Sequence, residues 1–303
     1  MDLKGMKMQP ALSFIIPTYG RAATLRDTIE CALAQRYPDF EVIVATQDLK
    51  PPAFLDEMVR QHPDRLRVLH LPHPNVNAAR NAAIRAARGG IMLSVDDDVL
   101  FGTDYGERHA ARYADPSVGF VTSLTRSRTD ETADQALCAN AGLLGLKSIP
   151  TLGEFVPVDW APTCAASYRR EAVERAGWFD PYFTGGVGDD TDLAVRIRAA
   201  GYVGYLDTTI PITHLAVLKG GFATRDPERS DAKRLNDQRM HLYFAAKNRR
   251  ILGWGITRSL FAVGFWATVG ICRKRYGRIG IFVAPWTFLG LAARAVRDAR
   301  RCH

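Results

Sequence analysis

The 303-residue chain holds five cysteines, Cys31, Cys138, Cys164, Cys272 and Cys302, and no two stand at a metal-ligand spacing. Scattered and odd in number, they support neither a disulfide framework nor a zinc site, and they fit a reducing compartment. Residues 1–10 lack the apolar core of a secretory signal, so a cytoplasmic location is expected. Neither apolar stretch near the end, Ser259–Cys272 or Ile279–Ala293, reaches the roughly 20 residues that span a bilayer. Glycine is sparse where two nucleotide-binding classes need it. The first strand-like run is followed by Pro17, Thr18, Tyr19, Gly20 and Arg21. That is neither the Gly-x-Gly-x-x-Gly of a dinucleotide oxidoreductase nor the glycine-rich phosphate loop of a nucleotidyltransferase. Acid is scarce in the tail, where from Lys247 onward twelve Lys and Arg face Asp298 alone. The formal charge of +8 therefore belongs to the tail, the first 246 residues are mildly acidic, and nucleic acid is not an expected partner.

What is present is a strand–helix alternation. Strands are predicted at Leu12–Ile16, Phe40–Ala45, Leu66–Leu71 and Ile91–Val95, with helices at Ala22–Gln35, Ala53–Gln61 and Asn77–Arg88. Short links between them imply a mainly parallel α/β sheet with helices on both faces. A helix at Tyr105–Tyr113 and a strand at Val118–Ser123 follow, then a less regular middle and a clear helix at Asp190–Ala200.

Three consecutive aspartates, Asp96, Asp97 and Asp98, come directly after the buried-looking run Ile91–Val95. Crowded like charges are costly unless a cation or a set of donors offsets them. The C-terminal edge of an open α/β sheet is where ligands bind, and hard oxygen donors there suit Mg²⁺ or Mn²⁺ shared with phosphates. An isolated acidic triplet would equally read as a solvated turn or a helix cap. A second acidic pair, Asp189 and Asp190, opens a helix after the glycine-rich stretch Gly185–Gly188. Standing alone it reads as a cap that complements the helix dipole.

Taken in order, several segments resemble a family 2 glycosyltransferase of the GT-A fold. They are Leu12 to Arg21 (LSFIIPTYGR), Asn77 to Ala83 (NAARNAA) through to Asp98, and Gly185 to Leu193 (GGVGDDTDL) with Arg196 and Gly201. His214 and the helix carrying Lys247, Asn248 and Arg249 extend the likeness, which covers residues 11–252. The resemblance implies a GT-A catalytic domain at 1–252 and a basic, apolar tail of membrane-associating helices at 253–303. It implies a nucleotide-sugar donor of UDP, GDP or dTDP type, a Mn²⁺ or Mg²⁺ ion, and a single inverting displacement. Asp98 would be the metal-side carboxylate, Asp96 would serve ribose and metal, Asp97 would lie between them, and His214 would complete the metal shell. Asp190 would be the general base, with Asp189 in place of the usual Glu. Pro17, Thr18 and Tyr19 would meet the base, Tyr19 by stacking, while Arg80 and Asn81 would reach the base and phosphates.

The sequence departs from the family pattern after the second strand, where Ala45, Thr46, Gln47 and Asp48 replace the usual paired acids. Gln47 takes the place of the acid that meets the base, or Asp48 substitutes by a shift of one residue. Lys219 and Arg225 would close over the diphosphate, and Val158–Tyr168 with Trp178, Phe179 and Asp180 would select the acceptor. The Gln-x-x-Arg-Trp signature of processive polysaccharide synthases is missing. The cations beside Trp254, Trp266 and Trp286 point to an anionic membrane surface, and with the resemblance to a lipid-linked or surface-polysaccharide glycan acceptor at the cytosolic face. The competing reading is a degenerate transferase fold acting as a membrane-bound scaffold.

Overall fold

The computed structural model describes residues 12–127, 154–184, 188–215, 217, 231–253, 268 and 280–300. Three strands, β1 (Leu12–Thr18), β2 (Phe40–Thr46) and β4 (Ile91–Val95), are buried along their whole length. Continuous apolar runs of this kind belong to parallel strands covered on both faces. With β3 (Leu66–His70) at the edge they form a parallel block in the order β3-β2-β1-β4. The strand period of two sends Phe14, Ile16, Val42 and Val44 to one face, against Leu25 and Ile29 of α1 (Ala22–Leu33). It sends Ile15, Ile43, Ala45 and Met92 to the other, against Ala79, Ala83 and Ile84 of α3 (Val76–Ala86). The helix α2 (Phe54–Gln61) leads into β3.

Beyond β4 the sheet changes character. The chain runs through β5 (Val99–Phe101), α4 (Tyr105–Arg112), β6 (Val118–Ser127), β7 (Phe155–Val158), β8 (Ala165–Arg169) and α5 (Arg170–Ala176). It continues through α6 (Asp189–Ala199), β9 (Val203–His214), α7 (Asp231–Asn248) and α8 (Gly280–Arg300). The order extends as β4-β8-β6-β9-β5, with β7 also on β9. β8 pairs antiparallel with β4 and β6, β6 pairs parallel with β9, and β5 turns back antiparallel on β9. The expected parallel sheet is thus its first half, and the second half brings β8 and β9 to the end of β4.

The C-terminal helix lies against α7. Phe288, Ala292, Ala295 and Ala299 of α8 are buried in one core with Met240, Tyr243 and Phe244 of α7, and the Tyr182 hydroxyl donates to Asp298. Trp286 and Leu289, 76% and 56% exposed, point away from that core. Among the described residues no helix is long and apolar enough to cross a membrane. Trp254, Trp266 and the basic run 273–278 lie outside the described residues, as do Gly185, Gly186, Val187, Lys219 and Arg225.

Candidate active site

The ends of β1, β2 and β4 lie side by side, because Thr18 pairs with Thr46 and Ile15 with Ser94. The acidic triplet therefore emerges beside Thr18 and the loop that follows it. The Thr18 hydroxyl donates to Asp97 Oδ2 at 2.7 Å. Arg21 Nη1 stands 3.1 Å from both Asp97 Oδ1 and Asp98 Oδ2. Burial still pushes the Asp97 carboxyl up to about 7, helped by Asp96 and Asp98 and opposed by Thr18 and Arg21. Asp97 thus fastens the triplet to β1, and Thr18 and Arg21 are the donors that tolerate three adjacent acids. The part played by Arg21 was not visible in its sequence context, since the residues it neutralises lie more than seventy positions away.

Arg80 joins the two acidic clusters. On α3 and only 4% exposed, it places Nη2 3.2 Å from Asp96 Oδ1 and Nη1 3.1 Å from Asp189 Oδ2. Burial pulls its pKa down, but Asp96 and Asp189 more than offset that and hold the guanidinium above its ordinary value. Its plane lies over Phe179, with 5.5 Å from the guanidinium carbon to the ring centre. Asn81, the next residue, is spent on structure: it exchanges two hydrogen bonds with the Phe179 backbone at 2.8 and 3.0 Å. Phe179 itself is buried against Tyr168, and Asp180 accepts from Lys247 Nζ at 2.6 Å and the Tyr243 hydroxyl at 2.8 Å. Lys247 also reaches Asp192 at 3.1 Å, so Asp192 anchors α7 to α6.

Asp189 and Asp190 open α6. Burial raises both carboxyls, Asp190 to about 7 with the charge of Asp189 adding to the effect. Asp190 Oδ1 accepts from the Thr191 amide at 2.7 Å and its hydroxyl at 3.2 Å, which fixes the carboxylate at the first turn. Unlike Asp189 it is only half-buried. Its charge is felt at Arg80, Tyr168 and Cys164, which places it on the same wall as the triplet.

Beside the triplet, β9 ends in His214, paired with Val99. The pairing continues as Leu215 N–H to the Asp98 carbonyl at 2.8 Å, and the Val217 amide donates to Asp98 Oδ2 at 3.2 Å. His214 Nε2 stands 3.5 Å from Asp98 Oδ1, and that fully buried oxygen accepts no hydrogen bond from the described residues. Among the described residues, the side-chain donors grouped closely enough to share a metal ion are those of Asp96, Cys164 and His214, all within 4.8 Å of one another. Asp98 is not one of the three, but its unspent oxygen borders them. A carboxylate, an imidazole and an adjacent unspent carboxylate oxygen fit a divalent cation. Nothing in the sequence around Cys164 marks it as a ligand. Burial and the surrounding carboxylates push its thiol well above the ordinary range.

At the other end of the edge, Tyr19 is partly exposed and lines an open cleft of about 560 Å³ with Gly20, Asp48, Leu49, Lys50 and Pro52. Asp48 Oδ1 accepts from the Gly20 amide at 2.6 Å, so this acid ties the β2 end to the loop after β1. Gln47 is buried, its amide nitrogen donates to the His73 carbonyl, and its Oε1 has no hydrogen-bond partner among the described residues. It is therefore an unspent acceptor two residues past Ala45, which pairs with Pro17.

Similarities to known proteins follow the same lines. The chain is 28% identical over 222 residues to the validoxylamine A glucosyltransferase of Streptomyces hygroscopicus subsp. jinggangensis, covering 63% of this chain and 52% of that one. It is 26% identical over 224 residues to the chondroitin synthase of Escherichia coli, covering 63% of this chain and 32% of the other. The chain thus spans about half, or less, of the length of these curated relatives. Among solved structures, the Pyrobaculum calidifontis mannosyltransferase PcManGT, in complex with GDP-Man and Mn²⁺, superposes with a TM-score of 0.59 at 21% identity. That match covers 95% of this chain and 81% of the other. S. aureus TarS 1-349 in complex with UDP-GlcNAc gives 0.55 at 12% identity, covering 97% and 92%. Both share the fold, an α/β sheet of GT-A type. The family profile described as glycosyl transferase family 2 matches residues 13–177, which carry Thr18, Arg80, the acidic triplet and Cys164, so the chain belongs to the family 2 glycosyltransferases.

Proposed function

We propose that this protein transfers a sugar from a nucleoside-diphosphate sugar to an acceptor hydroxyl by a single inverting displacement, with Asp190 as general base. The observation that carries the reading is the Arg80 bridge, which joins Asp189, the neighbour of Asp190, to Asp96 although more than ninety residues separate them. Asp96 and His214, bordered by Asp98, would hold Mn²⁺ or Mg²⁺. When bound, the ion offsets charge developing on the departing diphosphate. Asp190 accepts the proton of the attacking hydroxyl, and its position at the first turn of α6 keeps it oriented while it does so. Arg21 and Arg80 hold the surrounding carboxylates in place without contributing a proton.

Gln47 supports a specific class of base. Uracil, thymine and guanine each present an imino N–H, which the unspent Oε1 would accept; cytosine and adenine present an acceptor at the matching ring position. The PcManGT complex with GDP-Man and the TarS complex with UDP-GlcNAc agree with a base of this kind. Thermal unfolding with each nucleotide, with and without Mn²⁺, tests the reading. UDP, GDP or dTDP at a hundred times its dissociation constant would add about 2.7 kcal/mol and raise the midpoint. Metal-dependent stabilisation by one of these, with no shift from CDP or ADP, is the expected result. A folded sample that ignores all five would return the scaffold reading.

The acceptor we infer is a lipid-linked or surface-polysaccharide glycan, reached from the cytosolic face by a peripheral association. The supports are the cation-rich tail and the exposed Trp286 and Leu289 on α8. Replacing both with Ser leaves the α7–α8 core untouched, whereas deleting the tail would strip it. The double variant is expected to sediment several-fold less with anionic vesicles than the parent at equal melting temperature. Equal partitioning would remove α8 from the membrane contact.

A further inference from the structure

The donors grouped around Asp96 are of three chemical kinds: a carboxylate oxygen, a ring nitrogen of His214 and the sulfur of Cys164. Sulfur is out of place in a centre serving Mg²⁺ or Mn²⁺ alone, since those ions prefer oxygen. The sheet puts it there. β8 runs antiparallel to β4 with Ala165 opposite Val95, so the residue before β8 faces the residue after β4, and the Asp96 amide donates to the Cys164 carbonyl at 3.4 Å. The thiol is not in a disulfide and is 7% exposed. Beside it the fully buried Asp98 Oδ1 accepts no hydrogen bond from the described residues and lies 3.5 Å from His214 Nε2. A buried acceptor without a donor is costly, and a cation in the same space relieves that cost.

We propose that Cys164 makes this centre a mixed hard–soft site, in which Zn²⁺ or Cd²⁺ is held by Asp96, His214 and Cys164 together, while Mn²⁺ and Mg²⁺ rest on the oxygen and nitrogen donors alone. The inference rests on the metal reading of Asp96 and His214 given above. One carboxylate, one imidazole and one thiolate with a fourth position open are a donor set that zinc accepts readily. As the sulfur–metal bond forms, the thiol proton leaves to solvent, with no change of oxidation state. Cys164 is thus a selector of the ion, and soft metals are expected to displace Mn²⁺ from the site.

The test is metal titration of the full chain. Cd²⁺ is expected to raise an ultraviolet thiolate-to-metal charge-transfer band that saturates at one equivalent. Cys164→Ser should abolish the band and weaken Zn²⁺ and Cd²⁺, leaving Mn²⁺ affinity unchanged. X-ray absorption of the zinc-loaded parent, which needs no variant, should show one sulfur at about 2.3 Å. A band that survives in Cys164→Ser, or a zinc shell free of sulfur in a protein that binds Mn²⁺, would overturn this inference and leave the metal reading standing. Failure to bind Mn²⁺, Zn²⁺ and Cd²⁺ alike would overturn both.

Discussion

Asp190→Asn is expected to lower turnover by roughly 10²–10⁴-fold, the usual scale for losing a positioned general base, while the fold and nucleotide binding persist. Asn keeps the shape and can still accept from the Thr191 amide, which donates to Asp190 Oδ1 at 2.7 Å, but it takes up no proton. The pH profile makes the assignment specific. Burial, with the charge of Asp189, raises the Asp190 carboxyl to about 7. Since the base must be ionised, kcat/KM of the parent should climb from pH 5 to pH 8 with a midpoint near 7, and the residual activity of the variant should lack that rise.

Stability runs the opposite way. A carboxyl whose folded pKa is raised holds its proton more tightly when folded than when unfolded. Its contribution is therefore fully present below the ordinary aspartate range and is lost as pH rises through about 7. Asp190→Asn should accordingly melt no lower than the parent at pH 8 and show a shallower decline between pH 5 and 8. Activity within a few-fold of the parent at pH 8, where the parent's base is ionised, would remove Asp190 from the chemistry.

The first half of the fold was legible because its strands are buried on both faces and so read as unbroken apolar runs. β1, β2 and β4 fall within two residues of their expected ends. β8 is not legible in the sequence, for the converse reason. Its sequence, Ala-Ala-Ser-Tyr-Arg, carries no strand period, and its polar residue is satisfied inside the protein. Ser167 meets His109 at 2.7 Å and the Tyr113 hydroxyl at 2.8 Å, in a network that burial keeps neutral by lowering His109 to about 3. A polar side chain whose partners come from α4 and its C-cap looks like a surface residue until the sheet is assembled. The site divides along the same line. Asp96–Asp98, Asp190 and His214 announce themselves by charge or local context, and the structure places them around one edge. Arg21, Arg80 and Cys164 owe their roles to strand register and helix placement. Asp48 and Asn81 look available in sequence, yet their polar atoms are already taken up by Gly20 and the Phe179 backbone.

Arg80 should be the most damaging position for stability. Its guanidinium is shared by Asp96 and Asp189 and is 4% exposed, so Arg80→Ala strands carboxylates in a buried setting. Breaking a buried ion pair from one side costs about 3–5 kcal/mol, which urea unfolding would resolve easily. Arg80→Lys should recover only part of this, because one ammonium cannot reproduce two parallel contacts at 3.1 and 3.2 Å from separate nitrogens. The decisive comparison is Arg80→Ala combined with Asp189→Asn. If the loss arises from an uncompensated carboxylate, neutralising Asp189 must return a share of it, and the two substitutions must be strongly non-additive. Additive losses would mean that Arg80 serves mainly by packing on Phe179, from whose ring its guanidinium carbon lies 5.5 Å. Turnover separates charge balance from placement: if Arg80 only neutralises Asp189, the stabilised double variant regains activity, whereas a lost bridge leaves Asp189 and Asp96 out of register and the double variant inactive though folded.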